Sequence, residues 1–130
     1  MTRNVLVVLV GLMVLVGCGK ATPEELASLA AQGYYRHLIA GEYGQFLEGV
    51  AGSDSLSDEY REQLLTGYKQ FVFEQRKGHK GINTVTVNNA KTDSTQQLVQ
   101  VFLILQYADS TEEEIVVPMV EQQPGQWRMK

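Results

Sequence analysis

At Gly81 the apolar pattern of the chain changes period, and that change limits the fold more than any other feature. Before it, apolar residues recur at three- and four-residue spacing, the repeat of a helix with one buried face. Beyond it, Ile82 to Ala90, Gln96 to Tyr107, Glu113 to Glu121 and Gln126 to Lys130 are rich in valine, threonine and aromatics. Thr92-Asp93-Ser94, Asp109-Ser110 and Gln123-Pro124-Gly125 supply the turns between them. Helices first and hairpin-linked strands afterwards predict an α+β domain, with N-terminal helices packed on an antiparallel sheet of about four strands.

The helix boundaries are written in capping residues. Thr22-Pro23-Glu24-Glu25 has threonine at the N-cap, proline at the first helical position and glutamate three residues after the cap. Leu26, Leu29, Ala30, Gly33, Tyr34 and Leu38 then form an inward stripe, and Gly41 stops the helix. A short helix from Glu42 to Val50 buries Tyr43, Phe46, Leu47 and Val50. Ser57 caps a longer one in which Tyr60, Leu64, Tyr68, Phe71 and Val72 face inward, ending near Gly78. In the second strand Val99, Val101, Leu103, Leu105 and Tyr107 point one way, toward the core.

The first residues carry an address. Arg3 precedes an uncharged apolar run from Val5 to Gly17, the pattern of a signal peptide. At about 1.5 Å per residue the run reaches roughly 20 Å, short of the roughly 30 Å of a hydrocarbon core. Leu15-Val16-Gly17-Cys18 resembles the lipobox of bacterial lipoproteins. Residues 1–17 are therefore expected to be cleaved, and Cys18 to carry acyl chains that hold the protein to a membrane of the cell envelope, periplasm-facing or at the outer membrane. Gly19, Lys20 and Ala21 then form a tether reaching on the order of 15 Å, leaving residues 22–130 as one domain.

Composition removes several function classes. Cys18 is the only cysteine, so nothing is left for a disulfide, a thiolate metal ligand or a cysteine nucleophile, and the fold must rest on apolar burial. A formal net charge of −4 is a poor match for nucleic acid. The two histidines lack the spacing of a helical metal pair, and Thr111-Glu112-Glu113-Glu114 follows no calcium-loop pattern; no metal and no cofactor is expected.

Tyr34-x-x-x-Leu38-x-x-Gly41-Glu42-Tyr43-x-x-Phe46, Tyr60-Arg61, Lys77-Gly78-x-Lys80-Gly81-Ile82 and the closing Gln126-Trp127-Arg128-Met129 resemble the small DUF4878-type lipoproteins of Bacteroidetes. Those are similar to the NTF2-like, or cystatin-like, superfamily. The resemblance covers nearly the whole domain and implies a curved sheet wrapped round a long helix, a cone whose wide end can hold a pocket. The superfamily contains isomerases, dehydratases, transport factors and domains without chemistry, so the fold does not choose the activity.

An enzyme of isomerase or dehydratase type needs an ionisable group inside the apolar cone. Ile82 to Ala90, Gln96 to Gln106 and Ile115 to Val120 contain none, and Glu113, Glu114 and Glu121 fall at strand ends. The expectation is a non-catalytic domain that binds a small apolar ligand or an envelope protein. The alternative is a small enzyme using His37 or a pocket tyrosine as acid or base. Tyr34, Leu38, Tyr68 and Trp127 are the candidate pocket residues, with core packing the competing role for the two tyrosines. His79, in Arg76-Lys77-Gly78-His79-Lys80, belongs to a cationic helix end that either satisfies the last carbonyls or meets anionic headgroups near the anchor.

One face of the sheet breaks the usual alternation. Leu98, Phe102 and Ile104 on one strand, with Val116, Pro118 and Val120 on the next, point away from the helices. Such a patch marks either a homodimer interface, as the resemblance implies, or a surface covered by the C-terminal strand or a loop. Pro118, which cannot donate to a ladder, points to an edge or bulge nearby.

Overall fold

The computed structural model describes residues 21–130; the signal-like segment, Cys18, Gly19 and Lys20 lie outside the described residues. The element order is α1 (Pro23–Ile39), α2 (Tyr43–Glu48), a 3-10 turn (Ser53–Ser55), α3 (Asp58–His79), β1 (Ile82–Asp93), β2 (Leu98–Tyr107), β3 (Glu112–Gln123) and β4 (Gln126–Met129). The strands form one sheet in the order β1-β2-β3-β4, every neighbour antiparallel. Buried apolar side chains run from Ala27 to Met129, so the chain from Lys20 onward contains this core.

The capping signals act as expected. The Thr22 hydroxyl accepts the Glu25 amide (3.1 Å) while the Glu25 carboxylate accepts the Thr22 amide (2.8 Å). The Ser57 hydroxyl accepts the Tyr60 amide (3.2 Å) at the head of α3. That helix ends where Lys80 and Gly81 turn left-handed (φ 66 and 106), their amides donating to the Arg76 and Gln75 carbonyls. Val101, Leu103 and Leu105 on β2 are fully buried, with Val99 and Tyr107 nearly so, which confirms the inward face of that strand.

Two inward stripes differ from expectation. On α1, Leu29 is 65% exposed and Leu26 is 38% exposed, while Ala27, Ala31 and Leu38 are buried. The sequence holds two overlapping helical registers, and the one with the smaller side chains faces the sheet. Ala27 and Ala31 let the helix backbone lie close on it, and the Gln32 amide reaches the Val85 carbonyl of β1 (3.1 Å). On α3, Tyr60 (50%) and Phe71 (38%) are exposed; Leu64, Tyr68, Val72 and Gln75 are the more covered positions, and only Val72 is buried. This long helix is thinly packed.

β4 is short, and the segment just after α2 closes its outer edge. The Met129 amide donates to the Gly49 carbonyl and the Ala51 amide to the Met129 carbonyl, each at 2.7 Å. Tyr34 of α1 stands over this junction, its hydroxyl donating to the Trp127 carbonyl (2.7 Å) and accepting from Arg128 Nη1 (2.9 Å). A Cβ on Gly49 would lie 2.5 Å from the Tyr34 ring, so the close approach requires glycine there. Pro118 sits at the end of the β3–β4 ladder: its carbonyl accepts the Lys130 amide (2.9 Å), and its missing N–H costs no bond of the paired stretch from Met119 to Gln123.

The domain has two distinct ends. At one, where the chain enters α1, Glu24 accepts a hydrogen bond from Thr92 at the end of β1, and Pro23 shares a cavity with Leu98, Val99 and Trp127. At the other, Ile39, Val72, Arg76, Lys80 and Ala108 line one cavity. The 17 residues of α1 separate the ends by about 25 Å.

Candidate functional site

A cleft of about 420 Å³ opens at the end remote from the start of α1. Tyr35 and Leu38 come from the last turns of α1, Phe46 from α2, and Tyr68, Phe71 and Gln75 from the second half of α3; Leu105, Glu113 and Ile115 form the sheet wall. The volume falls within the range of small-molecule sites, roughly 300 to 1,000 Å³. It exists because α3 leans on the sheet with few side chains and β4 stops short of the Glu113–Ile115 stretch.

The aromatic side of the cleft is ordered. Tyr35 meets Phe46 edge-on at 5.2 Å between ring centroids, and Phe46 meets Tyr68 edge-on at 4.8 Å. Burial pushes both the Tyr35 and Tyr68 hydroxyls above the ordinary phenol value, with each further raised by a neighbouring tyrosine. Among the lining residues Glu113 alone bears a charged side chain. It stands exposed at the rim, where its Oε1 accepts the Tyr107 hydroxyl (2.6 Å). Burial first, and then this carboxylate, raise the Tyr107 hydroxyl well above its usual range.

Of the four expected pocket residues, Leu38 and Tyr68 line the cleft. Tyr34 and Trp127 do not: Tyr34 is committed to β4, and Trp127 is buried at the opposite end of the domain, against the cavity it shares with Pro23. Tyr34 and Tyr35 are adjacent on a helix, so they point to different places, and only Tyr35 shares the cleft with Leu38. His37 also lies outside it, pairing with Glu42 (2.7 Å) on the surface beyond α1. The other lining residues are not candidate pocket residues in the sequence: Phe46, Phe71 and Leu105 read there as core, Glu113 as a strand end, and Tyr35, Gln75 and Ile115 carry no assignment. The three-residue step from Tyr35 to Leu38 was the available signal for Tyr35; Glu113 reads as a solvated strand end until its neighbour Tyr107 is placed.

The cationic end of α3 lies at the remote end of the domain, away from the point where a tether would join α1. Arg76, Lys77, His79 and Lys80 are thus about 25 Å, the length of α1, from its first turn. His79 fastens α3 to the β2–β3 turn. Its Nδ1 lies 3.0 Å from Asp109 Oδ2, and its ring stacks on Tyr107 at 4.2 Å. Hydrogen bonds from the Thr111 hydroxyl and amide, and then His79, hold the Asp109 carboxyl down to about 2.

On the opposite face of the sheet, Phe102 pairs with Val116 across β2 and β3, and Val116 is 50% exposed. Ile104 and Val120 are half-buried on the same face. Lys91 Nζ lies 5.9 Å from the centre of the Phe102 ring, so the patch has a charged rim. Leu98 departs from the expected interface: it is only 4% exposed. Next to Gln97, which turns left-handed (φ 56), it is drawn into the cavity with Pro23, Val99 and Trp127. Among the described residues no group of histidine, aspartate and glutamate side chains is placed to hold a metal ion, and no helix is long and apolar enough to cross a membrane.

No known sequence family and no curated protein matches the chain. The search of solved structures returns an NTF2-like protein of Campylobacter jejuni that carries a provisional transpeptidase name. It has a TM-score of 0.58 at 15% identity, covering 84% of this chain and 97% of that one. Helices followed by an open four-stranded antiparallel sheet are thus shared with a solved NTF2-like protein, and the chain has the NTF2-like fold.

Proposed function

We propose that the chain is a lipoprotein held to a membrane of the cell envelope through Cys18, and that its NTF2-like domain is a non-catalytic module binding a small, mainly apolar ligand. The cleft is the observation that carries this reading. It is open and aromatic, has the volume of a small-molecule site, and stands at the end of the domain remote from the start of α1. The resemblance to DUF4878-type lipoproteins and the lipobox at Leu15 to Cys18 support the anchor.

An isomerase- or dehydratase-type enzyme is the second reading, and Glu113 is the observation on its side. Against it, Glu113 stands at the solvent rim and engages Tyr107, whereas a base of that kind works from an apolar interior. The pocket tyrosines are pushed away from neutral pH by burial, the wrong direction for a base. The neighbour's transpeptidase name, at this identity, lends the fold and no residue roles.

The test is the cargo. The lipoprotein purified from cell envelopes is expected to carry a small molecule detectable by mass spectrometry, and Ile115→Trp, which fills the cleft, is expected to lose it. Equal cargo in both forms, or none in either, contradicts the reading. Fatty-acid labelling that Cys18→Ser abolishes is the expected sign of the anchor.

A further inference from the structure

We propose that the ligand of the aromatic cleft is a cation, an amine or quaternary ammonium carried on an apolar body, with the Glu113 carboxylate as its counter-charge. The inference rests on the reading of the cleft as a ligand site and adds the chemical class. Four aromatic rings, those of Tyr35, Phe46, Tyr68 and Phe71, line one cleft with a single carboxylate. The faces of such rings attract cations within about 6 Å of their centres. The edge-on contacts of Phe46 with Tyr35 and Tyr68 set neighbouring rings nearly perpendicular, at 86° and 83°, so that they form walls and not a flat stack.

The charge inventory points the same way. Glu113 forms no ion pair with a lysine, arginine or histidine among the described residues, so no cation of the domain competes for it. Its partner is the Tyr107 hydroxyl, a neutral donor that fixes Oε1 and leaves Oε2 for a ligand. Arg76, the cation next to Gln75, lines a different cavity, between α1 and the start of β1. Tyr35 and Tyr68 stay neutral because burial raises them, which leaves the Glu113 carboxylate as the sole charge in the lining. A neutral apolar ligand would gain nothing from that carboxylate, an anionic one would be repelled by it, and a cation would be attracted.

The test compares benzyltrimethylammonium with neopentylbenzene, which has the same shape and no charge, on the domain from Lys20 onward. Binding is followed by NMR at the Ile115 methyl groups and the tyrosine rings, in wild type and in Glu113→Gln, whose amide oxygen still accepts the Tyr107 hydroxyl. The expected result is that the substitution weakens the ammonium on the order of tenfold and leaves the hydrocarbon within about twofold. Equal effects on both probes, no effect on either, or a cleft that takes the hydrocarbon alone overturns the cation assignment and leaves the apolar site standing. If neither probe shifts the cleft resonances, both readings fall.

Discussion

The Tyr34 hydroxyl donates to the Trp127 carbonyl across 2.7 Å, joining the first helix to the last strand. It also accepts from Arg128, so one phenol satisfies two groups of a four-residue strand. Tyr34→Phe is expected to cost about 1 to 2 kcal/mol, at the low end because Arg128 Nη1 still reaches the same carbonyl (3.2 Å). Urea unfolding measures the loss. Hydrogen exchange at the Met129 amide should quicken with it, and unchanged stability would mean that water replaces the phenol without cost.

Trp127 buries its ring but leaves Nε1 without a hydrogen-bond partner among the described residues. Truncation and trimming should therefore differ. Trp127→Ala is expected to cost about 3 to 5 kcal/mol through the cavity it leaves, whereas Trp127→Phe should stay within about 1.5 kcal/mol. A phenylalanine variant as unstable as the alanine one would show that the indole N–H has a partner.

Asp109 gives the domain an acid-sensitive fastening. Its carboxyl is held at about 2 in the folded chain against an ordinary 3.8, chiefly by Thr111 and then His79. A depressed acid contributes stability that is complete above 3.8 and is lost as pH falls toward about 2. Asp109→Asn should flatten the stability profile in that window. Urea midpoints measured across pH 2 to 5 decide it, and parallel profiles would contradict the assignment.

Much of this architecture was legible in the sequence because capping and alternation are local. Thr22 with Glu25, Ser57, and the alternation from Val99 to Tyr107 each report a structure set by near neighbours. The inward faces of α1 and α3 were less legible: Leu29 outranks Ala27 in hydrophobicity, but the sheet selects the residue that lets the backbone approach. The site was half legible for the same reason. Leu38 and Tyr68 lie where helical periodicity puts them, whereas Glu113 gains its role only from Tyr107, brought beside it by the β2–β3 turn, and from the packing of α3 over the sheet.

The outer sheet face is expected to be an interface between two copies of the chain. Phe102 and Val116 pair there beside Ile104 and Val120, while Leu98 is withdrawn. Light scattering should find the domain from Lys20 onward dimeric at high micromolar concentration, and Phe102→Glu combined with Ile104→Glu should yield a folded monomer. A monomeric wild type would sink the interface.

The central claim, that the cleft between α3 and the sheet receives ligands, is tested most directly by NMR titration with a set of single-ring compounds. Shifts are expected to gather at Tyr35, Tyr68, Phe71 and Ile115 and to disappear in Ile115→Trp, a variant that should remain folded because the half-buried side chain grows into open space. Shifts scattered over the surface, or none in the cleft at millimolar concentrations, would contradict it.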